Sequence, residues 1–542
     1  MWLIEGLMKR LGLIWIECSF FPPVGGGSSV AYEVKNSLRF RSVNSAYLSF
    51  TPSAAGDRKK LCRRFRIKRG ATGSVQVIHS AGTSSIDRFY FDSSDRLCLD
   101  VLGTTRLVTT PIFRDPAALE IEVGFELDVA NATASSRAKI IYDGAEVSAY
   151  STDTRSSITN ADTNWNNTVV QYIGRDNAGN YFDGLIAEPL GASGTTTVTS
   201  YSQVDPSNSK RRLPRKPSAT YGTGGWFLDF TDGTNLTTLC ADKSGNGNNW
   251  SASGISLTSG VTYDLFSEGS AGYCVLNPLD KSPTVMALSN GNLRAYSSQS
   301  TYQAGVRGTV GVSQGIWCWE ITATVAATFI AGITKNTYRF EDAMDAFVSS
   351  VIQTGTYGYR TDSATKYVNG AQSSYGVILG NGDVMGFRLD LTAGTLTGYR
   401  NGVSQGVIAS GLSGTFFPLL GVWNGGTADA NFGQQPMAYS YGSDAKPINT
   451  ANLTDTTVIT SGSFTGTGNA YGPSVFLNGW PTSLTINGNA VTWGVHAIRW
   501  AGGFKVISSS SSYNSSGSNS FVATFDSPYS NQAFKFANAQ AN

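Results

Sequence analysis

Short runs of alternating apolar and polar residues, separated by turn residues, recur along most of this chain. In residues 383–391 (DVMGFRLDL), apolar side chains recur at about every second position, which is typical of a half-buried β-strand. The triplets Thr-Ala-Gly at 392–394 and Arg-Asn-Gly at 400–402 separate such runs. The Asn-Gly pair favours a tight hairpin because both residues tolerate positive φ. Residues 315–433 are therefore predicted to form a meander of short antiparallel strands.

Composition extends this prediction to the rest of the chain. Gly contributes 61 of the 542 residues, only 14% of residues are charged, and Ser, Thr and Asn fill much of the space between apolar runs. This is typical of an all-β protein, and the length predicts several domains, since a single core rarely exceeds about 250–300 residues. The net charge of +2 gives no strong field toward nucleic acid or an anionic membrane. We therefore expect neither nucleic-acid binding nor membrane insertion.

Five short motifs occur in order between residues 317 and 433. They are Trp-Cys-Trp-Glu at 317–320, Gly-Asp-Val-Met-Gly at 382–386, Tyr-Arg-Asn-Gly at 399–402, Phe-Phe-Pro at 416–418 and Asn-Phe-Gly at 431–433. This order resembles a SPRY domain, placed at residues 301–440. The resemblance implies a two-sheet antiparallel sandwich that binds partners through loops and is not an enzyme. A sandwich alone does not define the function, because it is only a scaffold.

Residues 37–205 carry a second set of motifs. SLRF begins at Ser37, LVTTPIFRDP spans 107–116, and YIGRDNAGNYFDGLIAE spans 172–188. These segments resemble a laminin-G-like, concanavalin-type jelly roll, in the version found in large virion proteins of tailed bacteriophages. Residues 206–300 are expected to be a linker with connecting strands, and the basic run at 210–217 a linker or an arm. Residues 455–542 resemble the short β modules at the tips of phage fibres, where trimerisation would complete the core.

The fold class predicted from these segments is all-β: tandem antiparallel β-sandwiches, a laminin-G-like jelly roll followed by SPRY, with a small C-terminal β tip. Residues 1–36 are predicted to be an N-terminal anchor or arm with a Gly/Pro hinge. We expect this segment to dock on its own trimer or on a larger assembly; the alternative is local packing alone. The six Cys are scattered without C-x-x-C pairs, which favours free and mostly buried thiols.

Two strand-like runs depart from the jelly-roll pattern through their charges. Arg64, Arg66 and Lys68 alternate with apolar residues in 61–70, and Glu120, Glu122 and Glu126 do so in 117–127. One interpretation is two strands with oppositely charged outer faces, paired across a sheet. The other is a basic patch that binds an anionic glycan.

Three groups of residues are candidates for catalysis or metal binding. Polysaccharide hydrolysis needs two opposed carboxyl groups, but Glu320, Asp383 and Asp390 occupy motif positions at which turn capping and edge hydrogen bonds are expected. Asp176, Asn177 and Asp183 could offer oxygen ligands to calcium, although Asx turns are the favoured interpretation. His79 and His496 have no nucleophile-elbow context and are predicted to be structural. We therefore predict no catalytic residue, metal site or cofactor.

A sugar-binding site would need an aromatic platform rimmed by amides. Aromatic rings combine an apolar face with a polar tip, which suits sugars, but they equally suit a sandwich core. The residues predicted for such a platform are Tyr357, Tyr359, Tyr367, Trp423 and Asn424.

The resemblance to phage proteins implies a structural virion protein, a tail fibre or tail-associated appendage, expected to be a homotrimer. Its implied role is attachment to a host-surface glycan, and its implied partners are other tail or capsid proteins, contacted through the N-terminal segment. The alternatives are a head fibre or capsid decoration protein, and, from another class, a capsular polysaccharide depolymerase. Release of the polysaccharide in shorter chains would distinguish the last of these.

Overall fold

The computed structural model describes most of the chain beyond its N-terminal segment. The described residues are 32, 34–113, 121–142, 144–199, 201–205, 208–269, 273–282, 285–298, 300, 304–325, 329–335, 355–449, 452–453, 459–469, 472–477, 481–493, 495–500 and 503–525. Nearly all of the predicted anchor and hinge, residues 1–36, lies outside them. All elements below belong to one compact unit, Glu33–Asn542.

The first part of the described chain is built mainly from eighteen strands and one short α-helix. Their bounds are β1 Val34–Phe40, β2 Tyr47–Phe50, β3 Lys60–Arg69, β4 Gln76–Ala81, β5 Asp87–Phe91, β6 Leu97–Val101, β7 Thr104–Thr109, β8 Ile121–Asp128, β9 Ala138–Tyr142, β10 Ala145–Glu146, β11 Tyr150–Asp153, β12 Gln171–Ile173, β13 Gly184–Ser193, β14 Ser202–Asp205, β15 Asn208–Pro214, β16 Trp226–Phe227, α1 Leu236–Leu239, β17 Ser251–Ser253 and β18 Leu265–Gly269.

Two antiparallel sheets of this part pack face to face. One has the order β10-β9-β8-β3-β13-β1-β18 with β16 beside β13, and the other has the order β11-β7-β6-β5-β4-β12-β2-β17. Side chains from both sheets share one core, and Phe89 of one sheet lies 5.4 Å from Phe125 of the other between ring centroids. We call this the first sandwich. Since β16, β17 and β18 pair with its strands, it extends well past the predicted boundary at residue 205.

The second sandwich follows directly. Its strands are β19 Leu276–Lys281, β20 Ala287–Ser289, β21 Arg294–Ser297, β22 Ala304–Gly308, β23 Ile316–Val325, β24 Phe329–Lys335, β25 Thr356–Arg360, β26 Thr365–Val368, β27 Ala371–Ser374, β28 Val384–Asp390, β29 Thr395–Arg400, β30 Val403–Ala409, β31 Phe416–Val422, β32 Gly426–Asn431 and β33 Lys446–Pro447. Its sheets run β19-β22-β31-β24-β25-β26-β27 and β20-β21-β32-β23-β28-β29-β30, with β33 parallel to β23. The predicted start at residue 301 is late, because β19 to β21 already pair into these sheets.

The predicted local pattern is present in the second sandwich. Met385, Phe387 and Leu389 of β28 are buried in its core, as the alternation predicts. The Asn401-Gly402 pair forms the two-residue loop between β29 and β30, with φ of 48° and 80°. Both local predictions are confirmed, and the positive φ explains why Asn and Gly stand there.

The last described part is smaller. It contains β34 Ser461–Gly466, β35 Ser474–Phe476, β36 Ser483–Ile486, β37 Asn489–Ala490, β38 Ala497–Trp500, β39 Gly503–Val506, α2 Ser511–Asn514 and β40 Gly517–Thr524. The sheets have the orders β34-β40-β36-β37 and β35-β39-β38 and share a small apolar core. The helices α1 and α2 have only four residues each. The all-β fold class with antiparallel sheets is therefore confirmed.

Apolar and polar contacts join these parts. Leu185 and Phe266 of the first sandwich belong to the core of the second, and Phe476 of the last part packs against Phe417, with 4.7 Å between ring centroids. The carboxylate of Asp183, just before β13, accepts hydrogen bonds from the backbone N–H groups of Asn290 (3.0 Å) and Gly291 (2.8 Å) in the second sandwich. The two sandwiches thus share buried contacts of both kinds.

Candidate functional site

The structure divides the five residues predicted to form a sugar platform between different surroundings. Tyr357 and Tyr359 lie two positions apart on β25 and therefore point to one face of the sheet. Tyr367 of β26 stands directly opposite Gly358, so its side chain points to the other face. The three tyrosines cannot form a single platform, and the predicted site is corrected in this respect.

Tyr357 and Tyr359 face the core of the second sandwich. Tyr359 is fully buried, packs edge-on against Tyr375 at 5.0 Å between centroids, and donates a hydrogen bond from its hydroxyl to the carbonyl of Val377. Burial raises the pKa of its phenol. Tyr357 packs edge-on against Phe416 at 5.7 Å. These two rings are core aromatics, which is the alternative that the sequence left open.

Tyr367 and Trp423 lie on the outer side together with Arg360. The guanidinium carbon of Arg360 lies 5.1 Å from the ring centroid of Trp423, and its nitrogens donate to both carboxylate oxygens of Asp362 at 2.6 and 2.9 Å. The hydrogen bond to Asp362 is the main cause of a raised pKa at Arg360. Tyr367 and Trp423 are themselves buried, so this group offers a sugar little aromatic surface. Sequence reasoning did not single out Arg360, although it lies two positions from Gly358 on β25 and therefore on the same outer face.

Asn424 is exposed and occupies a turn. Its φ is 55° and that of Gly425 is 77°, and the N–H of Gly426 donates to the carbonyl of Trp423 at 2.9 Å. The residue is therefore required by the turn geometry, because Asn and Gly tolerate positive φ at low cost. Its exposed side chain lies at the edge of the group formed by Arg360, Tyr367 and Trp423.

The three carboxylates considered for catalysis serve the fold. Buried Glu320 accepts hydrogen bonds from the N–H groups of Ala438 and Tyr439, both at 3.0 Å, and from the hydroxyl of Tyr441 at 2.8 Å. Partial burial by itself would raise the pKa of Asp383, but hydrogen bonds from Gly380, Asn401 and Arg400 outweigh it and lower that pKa. Asp390 caps the turn that follows β28 through the N–H groups of Thr392 and Ala393. The expected capping and edge roles are confirmed.

Asp176 and Asp183 are also satisfied by protein donors. Asp176 accepts from the N–H and the side-chain amide of Asn180, at 3.0 and 2.8 Å, and from Arg88 at 3.2 Å. The bond to Asn180 N–H closes a local turn of five residues, which is longer than the Asx turn that the sequence favoured. Among the described residues, no group of three or more His, Cys, Asp or Glu side chains is placed to hold a metal ion.

The charged strands pair as the first interpretation predicts. Arg66 of β3 stands opposite Glu122 of β8, Arg64 contacts Glu122 at 3.3 Å and Glu126 at 2.6 Å, and Arg66 contacts Glu188 at 2.8 Å. Arg64 and Arg66 are each only 4% exposed. The chain around Tyr201 covers this face, and its carbonyl accepts from Arg66 at 2.6 Å. These two arginines therefore form no surface patch for an anionic glycan; Lys68 is half-buried, and Glu120 lies outside the described residues.

Both histidines make structural contacts. His79 is fully buried between the sheets of the first sandwich, where its Nε2 accepts from Nε of Arg63 at 3.2 Å and its Nδ1 lies 2.7 Å from the carbonyl of Tyr172. Burial is the main cause, and Arg63 the second, of a pKa far below the usual value for His79. His496 accepts from the N–H of Thr492 and stacks on Tyr513 at 4.0 Å between centroids.

The sequence predicts that the cysteines are free and mostly buried. Five cysteines are free and buried, which confirms that prediction for them: Cys62, Cys98, Cys240, Cys274 and Cys318. Cys18 lies outside the described residues.

Within the described part of the chain, every helix falls short of the length and apolar character that crossing a membrane requires.

Comparisons with known proteins agree with the second sandwich. The family model described as SPRY domain matches residues 316–435, inside the predicted range 301–440. Ran-binding protein 10 of Danio rerio is 35% identical over 86 residues, which cover 16% of this chain and 14% of that protein. The chain thus matches only a small part of this relative's length.

Solved structures similar to this chain include further SPRY domains. The SPRY domain of human HERC1 is 16% identical and covers 30% of this chain and 99% of that one, with a TM-score of 0.25. The PSpry domain of TRIM65 is 16% identical and covers 29% and 89%, with a TM-score of 0.26. Stonustoxin is 19% identical and covers 29% and 27%, with a TM-score of 0.24. From the family model, residues 316–435 are a SPRY domain; less than a quarter of the chain is covered by it.

Proposed function

We propose that this chain is a structural protein of a tailed-phage particle, a tail fibre or tail-associated appendage that attaches the particle to a host-surface glycan. In this proposal its sandwiches bind and do not catalyse. The carboxylates at the SPRY motif positions support this, because each is occupied by hydrogen bonds that hold turns and strand ends. A homotrimer and a virion location are parts of the same proposal.

The observation that carries the proposal is the contact at Asp183. This residue belongs to the segment YFDG, and its donors Asn290 and Gly291 belong to LSNGNL at 288–293. Both segments occur in the phage virion proteins that the sequence resembles. Their meeting supports the interpretation that the first sandwich and the SPRY domain are a built tandem of the kind found in such proteins. Rigid tandems suit attachment, because repeated weak sites on one particle bind through effective concentration.

The proposal is tested with fluorescently labelled full-length protein on bacterial cells. We expect labelling of the host strain, and loss of labelling after periodate treatment, which cleaves the vicinal diols of surface glycans. Antibodies against the chain should also mark the tails of purified particles. Cells that remain unlabelled, or labelling that survives periodate and disappears with protease treatment of the cells, would contradict glycan attachment.

Two alternatives have distinct outcomes in the same experiments. Antibody label on heads and not on tails would favour a head fibre or decoration protein. A fall in the chain length of host polysaccharide after incubation with the purified protein, followed by size-exclusion chromatography, would identify a depolymerase. Intact chain length with retained binding is the expected result.

A further inference from the structure

A cleft of about 360 Å³ lies where the first sandwich meets the SPRY domain. Its lining comes from both sandwiches. The first sandwich provides Asn36, Tyr263 and Leu265, and the second provides residues 433–437 and Pro447. The volume falls within the range of about 300–1,000 Å³ that is usual for sites of small molecules. We call this the junction cleft.

The walls of the junction cleft are held by hydrogen bonds. The carbonyl of Tyr263 accepts from Arg39 at 2.9 Å, and the side-chain amide of Asn36 donates to the carbonyl of Phe230 at 2.7 Å. On the other wall, Gln434 accepts from the N–H of Phe432 at 2.8 Å and donates to the carbonyl of Cys274 at 2.6 Å. These bonds hold Asn36, Tyr263 and Gln434 in place before any ligand arrives, which lowers the entropic cost of binding.

Gln435 differs from its neighbour Gln434. Its side chain is 7% exposed, and its carboxamide oxygen has no hydrogen-bond partner among the described residues. Buried polar atoms are nearly always paired, so an unpaired carboxamide oxygen on a residue that lines a cleft calls for an explanation. A carboxamide can also turn over and present either its oxygen or its NH₂ group. Because this oxygen is buried, a ligand hydroxyl in the cleft would pair with it only after the carboxamide turns toward the ligand.

The chemistry of the lining restricts the ligand. Every residue that lines the cleft is uncharged, so an ionic ligand would lose its hydration without gaining a counter-charge. A purely apolar ligand would leave the carboxamide oxygen of Gln435 unpaired. A peptide would bring an N–H and a carbonyl at each residue, and Gln435 is the one lining side chain that the described structure leaves with an unpaired buried atom. A neutral sugar combines an apolar ring face with hydroxyls, some of which can stay in water.

We propose that the junction cleft binds a neutral saccharide unit. The half-buried ring of Tyr263 packs against the apolar face of the sugar, and the amide of Gln435 pairs with one hydroxyl. Pro436, Met437 and Pro447 supply the remaining apolar contact. This places glycan recognition between the two sandwiches and not on the tyrosines of β25 and β26. It rests on the proposed function only for the source of the saccharide, a host-surface glycan.

The test uses full-length protein and a panel of neutral sugars: glucose, galactose, mannose, N-acetylglucosamine and N-acetylgalactosamine, with glucuronic acid as the charged comparison. Saturation-transfer NMR and titration should detect at least one neutral sugar and no preference for the acid. We expect Tyr263→Ala and Gln435→Met each to weaken binding by about tenfold, the scale of one lost contact of this kind. Tyr296→Ala, an exposed tyrosine outside the lining, is the matched control and should leave binding unchanged.

The outcomes separate this inference from the proposed function. Failure of every neutral sugar to bind, or equal binding by wild type and both cleft variants at unchanged melting temperature, overturns the cleft assignment. A neutral peptide whose binding is lost in both variants identifies a peptide occupant and also overturns it. Glycan-dependent cell labelling that survives both substitutions removes the cleft assignment and leaves the proposed function standing. Sugar binding that depends on the cleft, without cell labelling, supports the cleft assignment and contradicts the proposed function.

Discussion

Arg63 is a fully buried arginine inside the core of the first sandwich. Its guanidinium donates to the side chain of His79 at 3.2 Å, to that of Asn166 at 2.6 Å, and to the carbonyls of Cys62 and Ala192. Burial lowers the pKa of Arg63 to about 10. A buried cation is tolerated only when its donors are satisfied, and here neutral acceptors satisfy them. His79 must therefore stay neutral in the folded protein, because a proton on Nε2 would face the guanidinium.

This arrangement predicts an acid sensitivity specific to His79. Its pKa is lowered well below the usual value in the folded state, so the unfolded chain takes up a proton near pH 6.5 and the folded chain does not. Stability from this group is therefore full above that pH and falls below it, by about 1.4 kcal/mol per pH unit. Urea unfolding from pH 7.5 to 5 measures the free energy of unfolding of wild type and of His79→Gln. The difference between these two free energies should become smaller as the pH falls.

The comparison of variants removes the contributions of other titrating groups, such as Asp87, whose pKa burial raises to about 6. His496→Gln serves as the control, since His496 is partly exposed and stacks on Tyr513 in the last described part. It should leave the pH dependence of wild type in place. An identical pH dependence in wild type and His79→Gln would contradict the assigned protonation of His79.

At the scale of single strands, β28 combines a pattern that the sequence predicts with a contact that it does not. Met385, Phe387 and Leu389 face the core, as their spacing predicts. Gly386 faces outward, opposite Glu320 of β23, and the ring of Tyr441 lies across it. A Cβ at Gly386 would overlap this ring, so the glycine is needed for close approach and not for a positive φ. Tyr441 in turn donates to Glu320 at 2.8 Å.

Gly386→Ala is therefore expected to destabilise the SPRY domain by about 1–3 kcal/mol, the usual range for overpacking a well-packed site. Gly380→Ala is the matched control: its Cβ would lie 3.7 Å from Asp383, and its backbone φ is not positive. That control should be neutral or stabilise the protein by up to about 1 kcal/mol. Thermal unfolding of the full-length variants, followed by calorimetry, measures both. Equal melting temperatures for the two variants would show that Tyr441 yields to the added methyl group.

Strand patterns explain which predictions about sites could be made from the sequence. Arg63 shares the parity of Leu61, Phe65 and Ile67 in β3, so its inward direction is readable from the alternation, although the charge pattern drew attention only to the outward side chains. The burial of Arg64 is not readable, because residues near Tyr201, far along the chain, cover it. Local periodicity gives the direction of a side chain, while its exposure depends on distant segments.

The predicted sugar platform illustrates the same limit between neighbouring strands. Tyr359 and Tyr367 are close in sequence, but their faces depend on the register of the β25–β26 hairpin, which a shift of one residue would reverse. No local sequence pattern predicts the junction cleft. Tyr263 and Gln435 are brought together only by the docking of one sandwich on the other.

In the molecule as a whole, buried apolar and charged groups join the two sandwiches. Leu185 and Phe266 enter the core of the SPRY domain. Within the first sandwich, Arg39 and Arg41 contact Asp264, the residue just before β18, at 3.0 and 2.8 Å. The carboxylate of Asp183, which is 1% exposed, accepts hydrogen bonds from both sandwiches. Hydrogen bonds to a buried charge are stronger than neutral ones, so this carboxylate should couple the unfolding of the two sandwiches.

Asp183→Asn tests this coupling. The carboxylate accepts from the N–H and hydroxyl of Ser42 within the first sandwich and from the N–H groups of Asn290 and Gly291 across the junction. An amide has one oxygen for these donors and turns its own NH₂ toward the others, so we expect a loss of about 3 kcal/mol, since each bond to a charged group contributes about 1.5–3 kcal/mol. Calorimetry should then show the first sandwich and the SPRY domain unfolding in separate transitions.

Asp176→Asn is the control, because the side chain of Asp176 accepts from Asn180 and Arg88, both within the first sandwich. This variant should shift one unfolding transition without separating the two. If both variants behave alike, the apolar contacts of Leu185 and Phe266 couple the sandwiches without the carboxylate.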